Sequence, residues 1–108
     1  MTYVVAILRR ANADLQKTYV WLHRRSPTGA DRWFEEFETA IGRLAIDAAS
    51  HPLAFEAARL GVDARECFFK TKWGKRYRIV YIIAGNQVRV LRVRGPGQQS
   101  IRSRDLGL

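Results

Sequence analysis

The stretch from Lys70 to Arg94, KTKWGKRYRIVYIIAGNQVRVLRVR, constrains the fold more than any other part of the chain. Tyr77, Ile79, Tyr81 and Ile83 fall on one side at period two, with Arg78, Val80, Ile82 and Ala84 on the other, the alternation of a β-strand. Gly85-Asn86 follows, and both residues tolerate positive φ, so a tight hairpin turn is predicted between two β-branched runs. The return strand is Gln87 to Arg94. Strict alternation places Val88, Val90, Arg92 and Arg94 on one side and Arg89, Leu91 and Val93 on the other. A sheet of this kind is apolar in its middle and cationic at one end, so it has a face for a helix layer and an end for an anionic ligand.

Upstream, the period changes twice. Tyr3 to Leu8 is apolar on both sides and reads as a central or near-central strand. Ala11, Leu15, Thr18 or Tyr19, and Leu22 then recur at helical spacing, with Asn12 and Asp14 near the start, where the helix dipole favours oxygen acceptors and negative charge. Ser26-Pro27 ends this helix and starts another, serine as the cap and proline in the first helical position, where a missing N–H costs nothing. Ala30, Trp33, Phe34, Phe37, Ile41, Leu44, Ala45 and Ala48 keep to one stripe of that second helix and are read as core. So short a link makes the two helices an antiparallel hairpin. His51-Pro52 stops the second helix, and residues 53–64 are left open between a loop and a turn of helix. A strand is expected over Arg65 to Lys72, and Trp73-Gly74-Lys75-Arg76 makes the turn into the hairpin.

The expected fold class is therefore α+β, in the order strand, helix, helix, strand, strand, strand: an antiparallel sheet packed against a helical hairpin. The 108 residues are read as a single domain, with residues 95–108 an irregular tail. One cysteine, Cys67, has no partner for a bridge and is read as a buried small hydrophobe. The apolar run in MTYVVAILRR is shorter than that of a signal peptide and nothing approaches the length of a membrane span, so a cytoplasmic location with no membrane partner is expected. No metal or nucleotide cofactor is expected either, because Gly95-Pro96-Gly97 follows a strand without opening a helix.

Charge placement narrows the partners. Residues 1–58 hold seven Lys/Arg against seven Asp/Glu, whereas residues 59–108 hold twelve against three, so the whole net charge of +9 lies in the C-terminal half. A polyanionic partner follows: nucleic acid, a nucleic-acid-bound machine or an acidic protein. Arg78, Arg92, Arg94, Lys70 and Lys72 are the candidate contacts. Arg78 also has a structural reading, as the partner of Glu66 on the neighbouring strand. Trp73, between Lys72 and Lys75, has three: a stacking platform for a base, a plug for a partner's pocket, or a cover for the edge of the core. His23 and His51 close the two helices and suit the negative end of each dipole.

The set Ala11-x-x-Asp14-Leu15, Tyr19, Ser26-Pro27-x-x-Ala30-x-Arg32, the helix from Trp33 to Leu44, YRIVY at Tyr77 to Tyr81, and Val88-x-Val90-Leu91-x-Val93 resembles the RelE/ParE superfamily of type II toxins, the plasmid-stabilisation proteins. The resemblance covers about the whole chain up to Gly95 and implies a RelE/ParE-like fold. It implies a toxin held by a cognate antitoxin, whose acidic segment suits the basic half and through which operator DNA is met indirectly. Two activities divide the superfamily. RelE-like members cleave messenger RNA on the ribosome, which here implies Arg78 with Lys70, Lys72 and Arg94 as the catalytic set. ParE-like members inhibit DNA gyrase, which makes Arg78, Arg92, Arg94, Lys70, Lys72 and Trp73 a target-binding surface. Beyond Arg94 the chain reads GPGQQSIRSRDLGL, without the Tyr or His that RelE-like enzymes carry near this end, so the ParE-like reading is favoured. The other outcome of the family resemblance is an inactive module that only partners antitoxin and operator.

Overall fold

The structure, a computed structural model, describes residues 2–98 and 100–105. Its elements are β1 (Val4–Ile7), α1 (Arg9–Arg25), α2 (Pro27–Asp47), α3 (Ala57–Leu60), β2 (Arg65–Phe69), β3 (Tyr77–Ala84) and β4 (Gln87–Arg94), with short 3-10 turns at Ala48–Ser50 and Ser103–Asp105. Four strands form one sheet in the order β1-β4-β3-β2. The last three strands pair antiparallel with one another, as the hairpin pattern predicts, and Gly85 makes the turn at φ 62°. β1 lies parallel to β4 at one edge. This corrects the central placement expected from its two apolar faces: Tyr3 and Val5 meet the helices and Leu8 the opposite side, but Val4 is left 62 % exposed.

The helical hairpin turns where Ser26 stands. Its Oγ accepts the Gly29 N–H at 3.0 Å, satisfying one of the unpaired donors of the first turn, and Pro27 follows in the first helical position. The stripe read from α2 is core: Ala30, Trp33, Phe37 and Leu44 are buried, joined by Ala40, and all of these but Ala30 pack with Leu15 of α1 against Phe69, Ile79, Tyr81, Val88 and Val90. Trp33, Phe37, Phe69 and Tyr77 form the aromatic centre, with ring centroids 5.4–5.8 Å apart. The Tyr81 hydroxyl donates to the Ala48 carbonyl at 2.6 Å, tying the middle of the sheet to the end of α2.

Three local expectations are corrected. β2 stops at Phe69 rather than Lys72, because the chain turns at once, the Gly74 N–H donating to the Thr71 carbonyl at 3.2 Å. Asp14 is past the first turn of α1, which begins at Arg9, so it does not serve the helix start. Strict alternation also fails in β4: Val80 pairs with Arg92 but Tyr81 with Val90, so Leu91 is an extra residue in the ladder. Val93 consequently joins Val88 and Val90 in the core under the helices, while Leu91 faces the other way.

That other side of the sheet is covered as well. Ala54, Ala57 and Ala64, with partly buried Leu60 and Val62, pack on Val80 and Leu91 as a second, smaller core. The segment left open between loop and helix is thus a lid with one short helix, closed by Gly61 at φ 70°. In the tail, Ile101 is fully buried in this second core and Ser103–Asp105 form a 3-10 turn. Residues 99 and 106–108, part of the tail expectation, lie outside the described residues.

Candidate functional site

Of the candidate residues, Arg78 is the most tightly held. It stands on β3 beside the lid, and its Nη1 and Nη2 donate to Glu56 Oε1 and Oε2 at 2.7 Å each, while Nη1 also donates to Glu66 Oε2 at 2.9 Å. Glu56 is the only buried charged residue among those described, and Oε2 accepts the Ile101 N–H at 2.9 Å as well. Burial alone pushes the Glu56 carboxyl up; the Arg78 and Ile101 hydrogen bonds and the Arg78 charge outweigh it and hold the pKa at about 2. The Glu56 hydrogen bonds raise Arg78 in turn. The Arg78–Glu56 pair therefore ties together the lid, the sheet and the tail. The structural reading of Arg78 foresaw Glu66; nothing in LAFEAARLG marked Glu56, which reaches Arg78 across 22 residues of chain.

Arg92 is held at the other edge. Its Nε and Nη2 donate to Asp14 Oδ2 and Oδ1 at 2.8 and 2.7 Å, and the Val93 N–H donates to Asp14 Oδ2 at 3.0 Å. β1 pairs with β4 only from Gln87 to Val90, so Asp14 takes over the edge of β4 where β1 has ended. Helix α1 is fastened to the sheet by this carboxylate.

Arg94 pairs with Arg78 in the ladder and lines a pocket of about 440 Å³ with Phe68, Lys75, Arg76, Gly95 and Gln98. The Arg76 guanidinium lies 3.9 Å from the centre of the Phe68 ring. Gly95 permits the close approach here, since a Cβ would stand 2.8 Å from the Tyr77 ring.

Lys70 and Lys72 leave the strand for the exposed turn, so the structure does not gather them around Arg78. Lys72 instead borders a larger groove, about 1270 Å³, between the helical hairpin and the 71–75 turn. Lys17, Arg24, Arg25, Arg32, Lys72 and Lys75 line it, together with Trp21 and Trp73, and no Asp or Glu does. Among the described residues none of these six cations is in an ion pair. Trp73 is 87 % exposed, so it does not cover the core edge.

Cys67 is buried, and burial pushes its thiol up to about 12, far from a reactive thiolate. His51 Nε2 lies 3.1 Å from Asp47 Oδ1, a contact within the end of α2.

Over residues 5–99 the sequence matches the family model of the ParE toxin of the type II toxin-antitoxin system, parDE. The chain belongs to the ParE toxin family. No curated protein matches it. As a ParE-family toxin it is the toxin of a type II toxin–antitoxin pair, and its family implies an antitoxin partner. No helix among the described residues is long and apolar enough to cross a membrane.

Proposed function

We propose that this ParE-family chain is one toxin domain acting in the cytoplasm, that it arrests growth by binding DNA gyrase and not by cutting RNA, and that an acidic antitoxin segment neutralises it. The observation that carries this reading is the commitment of Arg78. A cation that stabilises a phosphorane needs donors aimed at the place where charge develops. Here Nη1 and Nη2 of Arg78 are engaged by Glu56 and Glu66, so this guanidinium is directed at the protein's own carboxylates and not at a phosphate. Lys70 and Lys72, placed on the turn, do not complete a proton-transfer set around it. The cations on exposed positions suit a binding surface: Lys75 and Arg76 at the smaller pocket, continued by Lys72 and Trp73.

The second reading, ribosome-dependent cleavage of messenger RNA, has one observation on its side, the basic pocket that Arg78 lines together with Arg94, Lys75 and Arg76. Purified toxin added to gyrase and relaxed plasmid decides between them. Loss of supercoiling with trapped cleaved DNA is expected. Unimpaired gyrase together with new in-frame 5′ ends in the messages of expressing cells would establish the nuclease, and expression without growth arrest would establish the inactive module.

A further inference from the structure

The groove between the helical hairpin and the 71–75 turn has two properties that a gyrase-binding role does not require together. It is lined by six cations without a carboxylate, and its exposed aromatic rings carry cations on their faces. The Arg25 guanidinium lies 4.1 Å from the centre of the Trp21 ring, and Lys72 Nζ lies 5.2 Å from that of Trp73. Trp21 is 47 % and Trp73 87 % exposed, so neither indole is there to complete the core. An exposed Trp on a turn is costly in water, and at this exposure most of the Trp73 ring surface is left to a flat partner even with Lys72 beside it.

We propose that this groove binds a single strand of nucleic acid, with bases stacked on Trp73 and Trp21 and phosphates met by Arg25, Lys72 and Lys75. Alternating cations and open aromatic faces suit an unpaired strand, whose bases are splayed and whose backbone carries one charge per nucleotide. A duplex hides its base faces and gains nothing from the indoles. An acidic peptide matches the charge but has no flat face for each ring, so it gains from the lysines and arginines alone. DNA and RNA strands present the same chemistry to these residues. The inference goes beyond the gyrase target, and it is tested without gyrase, so it fails or stands separately from that reading.

The test uses the full chain with fluorescein-labelled oligo-dT and oligo-U of twenty nucleotides, read by anisotropy, and by quenching of tryptophan emission with unlabelled strands. Binding is expected with a log–log salt slope of roughly −2, as about three phosphate contacts on a single strand give. Trp73→Ala keeps every charge and removes one stack, so affinity should fall about tenfold or more, while Trp73→Phe should retain most of it. Lys72→Ala/Lys75→Ala should weaken binding and flatten the salt slope. All three substituted positions are exposed, so these changes leave the core untouched. Binding of either strand with these responses supports the proposal, and the ratio of oligo-dT to oligo-U tells which source is preferred. Absence of binding, equal binding of a duplex, displacement by a poly-glutamate chain at equal charge concentration, or a Trp73→Ala protein that binds like the wild type would each overturn it.

Discussion

The Glu56 carboxylate predicts an acid limb in the stability of this protein that one substitution should remove. Its pKa of about 2 lies below the ordinary 4.5. A group whose folded pKa is depressed stabilises the fold above the unfolded value, and that contribution is lost as pH falls from about 4.5 to about 2. At about 1.4 kcal/mol per unit the difference amounts to about 3 kcal/mol. Other carboxylates titrate over the same range, so wild type must be compared with Glu56→Gln, which keeps the shape and an acceptor for the Ile101 N–H but does not ionise. Urea unfolding followed by tryptophan fluorescence from pH 7 to pH 2.5 should show the gap between the two proteins shrinking by about 3 kcal/mol.

Arg78→Ala supplies the opposite sign. With the guanidinium gone, burial pushes the Glu56 carboxyl up, and a buried charge without its partner costs about 3–5 kcal/mol at neutral pH. This variant should recover part of its loss on acidification, where the wild type declines. A parallel acid limb in wild type and Glu56→Gln, or an Arg78→Ala protein that loses stability with acid as the wild type does, would refute the assignment of Arg78 as the counter-ion.

Four further outcomes follow from the same contacts. Glu56→Met/Arg78→Met replaces the pair with apolar volume, a change often neutral or stabilising, and if Arg78 is structural the double variant should fold and still arrest growth in a colony assay. Asp14→Ala removes the acceptor of three hydrogen bonds from Arg92 and Val93 and should cost about 2–4 kcal/mol, with faster amide exchange at Val93 by NMR; Arg92→Glu should be as damaging, and Asp14→Arg/Arg92→Glu should restore much of the loss. Ser26→Ala deletes the cap of α2 and should lower stability by about 1 kcal/mol, a Tm decrease of roughly 4–8 °C by calorimetry. Cys67, with its thiol near 12, should resist iodoacetamide at pH 8 until the protein is unfolded, its thiolate population being lower by about 10³ in the native state.

What the sequence made legible was local. The β3–β4 hairpin rests on alternation and a Gly-Asn turn, and the start of α2 on a Ser-Pro cap, and both are where the residues place them. The stripe from Ala30 to Leu44 is core because a helical period that regular has one apolar face to bury. Apart from the early end of β2 and the start of α1, the misreadings depend on partners distant along the chain. β1 has the composition of a central strand, and only the four-residue pairing with β4 puts it at the edge. The extra residue at Leu91 is invisible to an alternation count, because Val90, Leu91 and Val93 are apolar whichever face they take. Glu56 carries no local signal at all; its meaning comes from Arg78 and Ile101, 22 and 45 positions away.

Charge shows the same limit in a form that bears on function. Counting by halves puts the whole +9 after residue 58 and points to the sheet. Folding redistributes it. Two of the arginines counted there, Arg78 and Arg92, are bound to carboxylates, and Asp14 and Glu56 come from the neutral half to do it. The neutral half in turn sends Lys17, Arg24, Arg25 and Arg32 to the groove, four of its six cations, and none of its acids lines that surface. A neutral segment and a basic one thus fold into a surface more cationic than either count suggests. Substitutions meant to abolish binding should therefore be placed at Arg25, Lys72 and Lys75, where charge faces solvent. At Arg78 and Arg92 a loss of toxicity would first report a loss of fold.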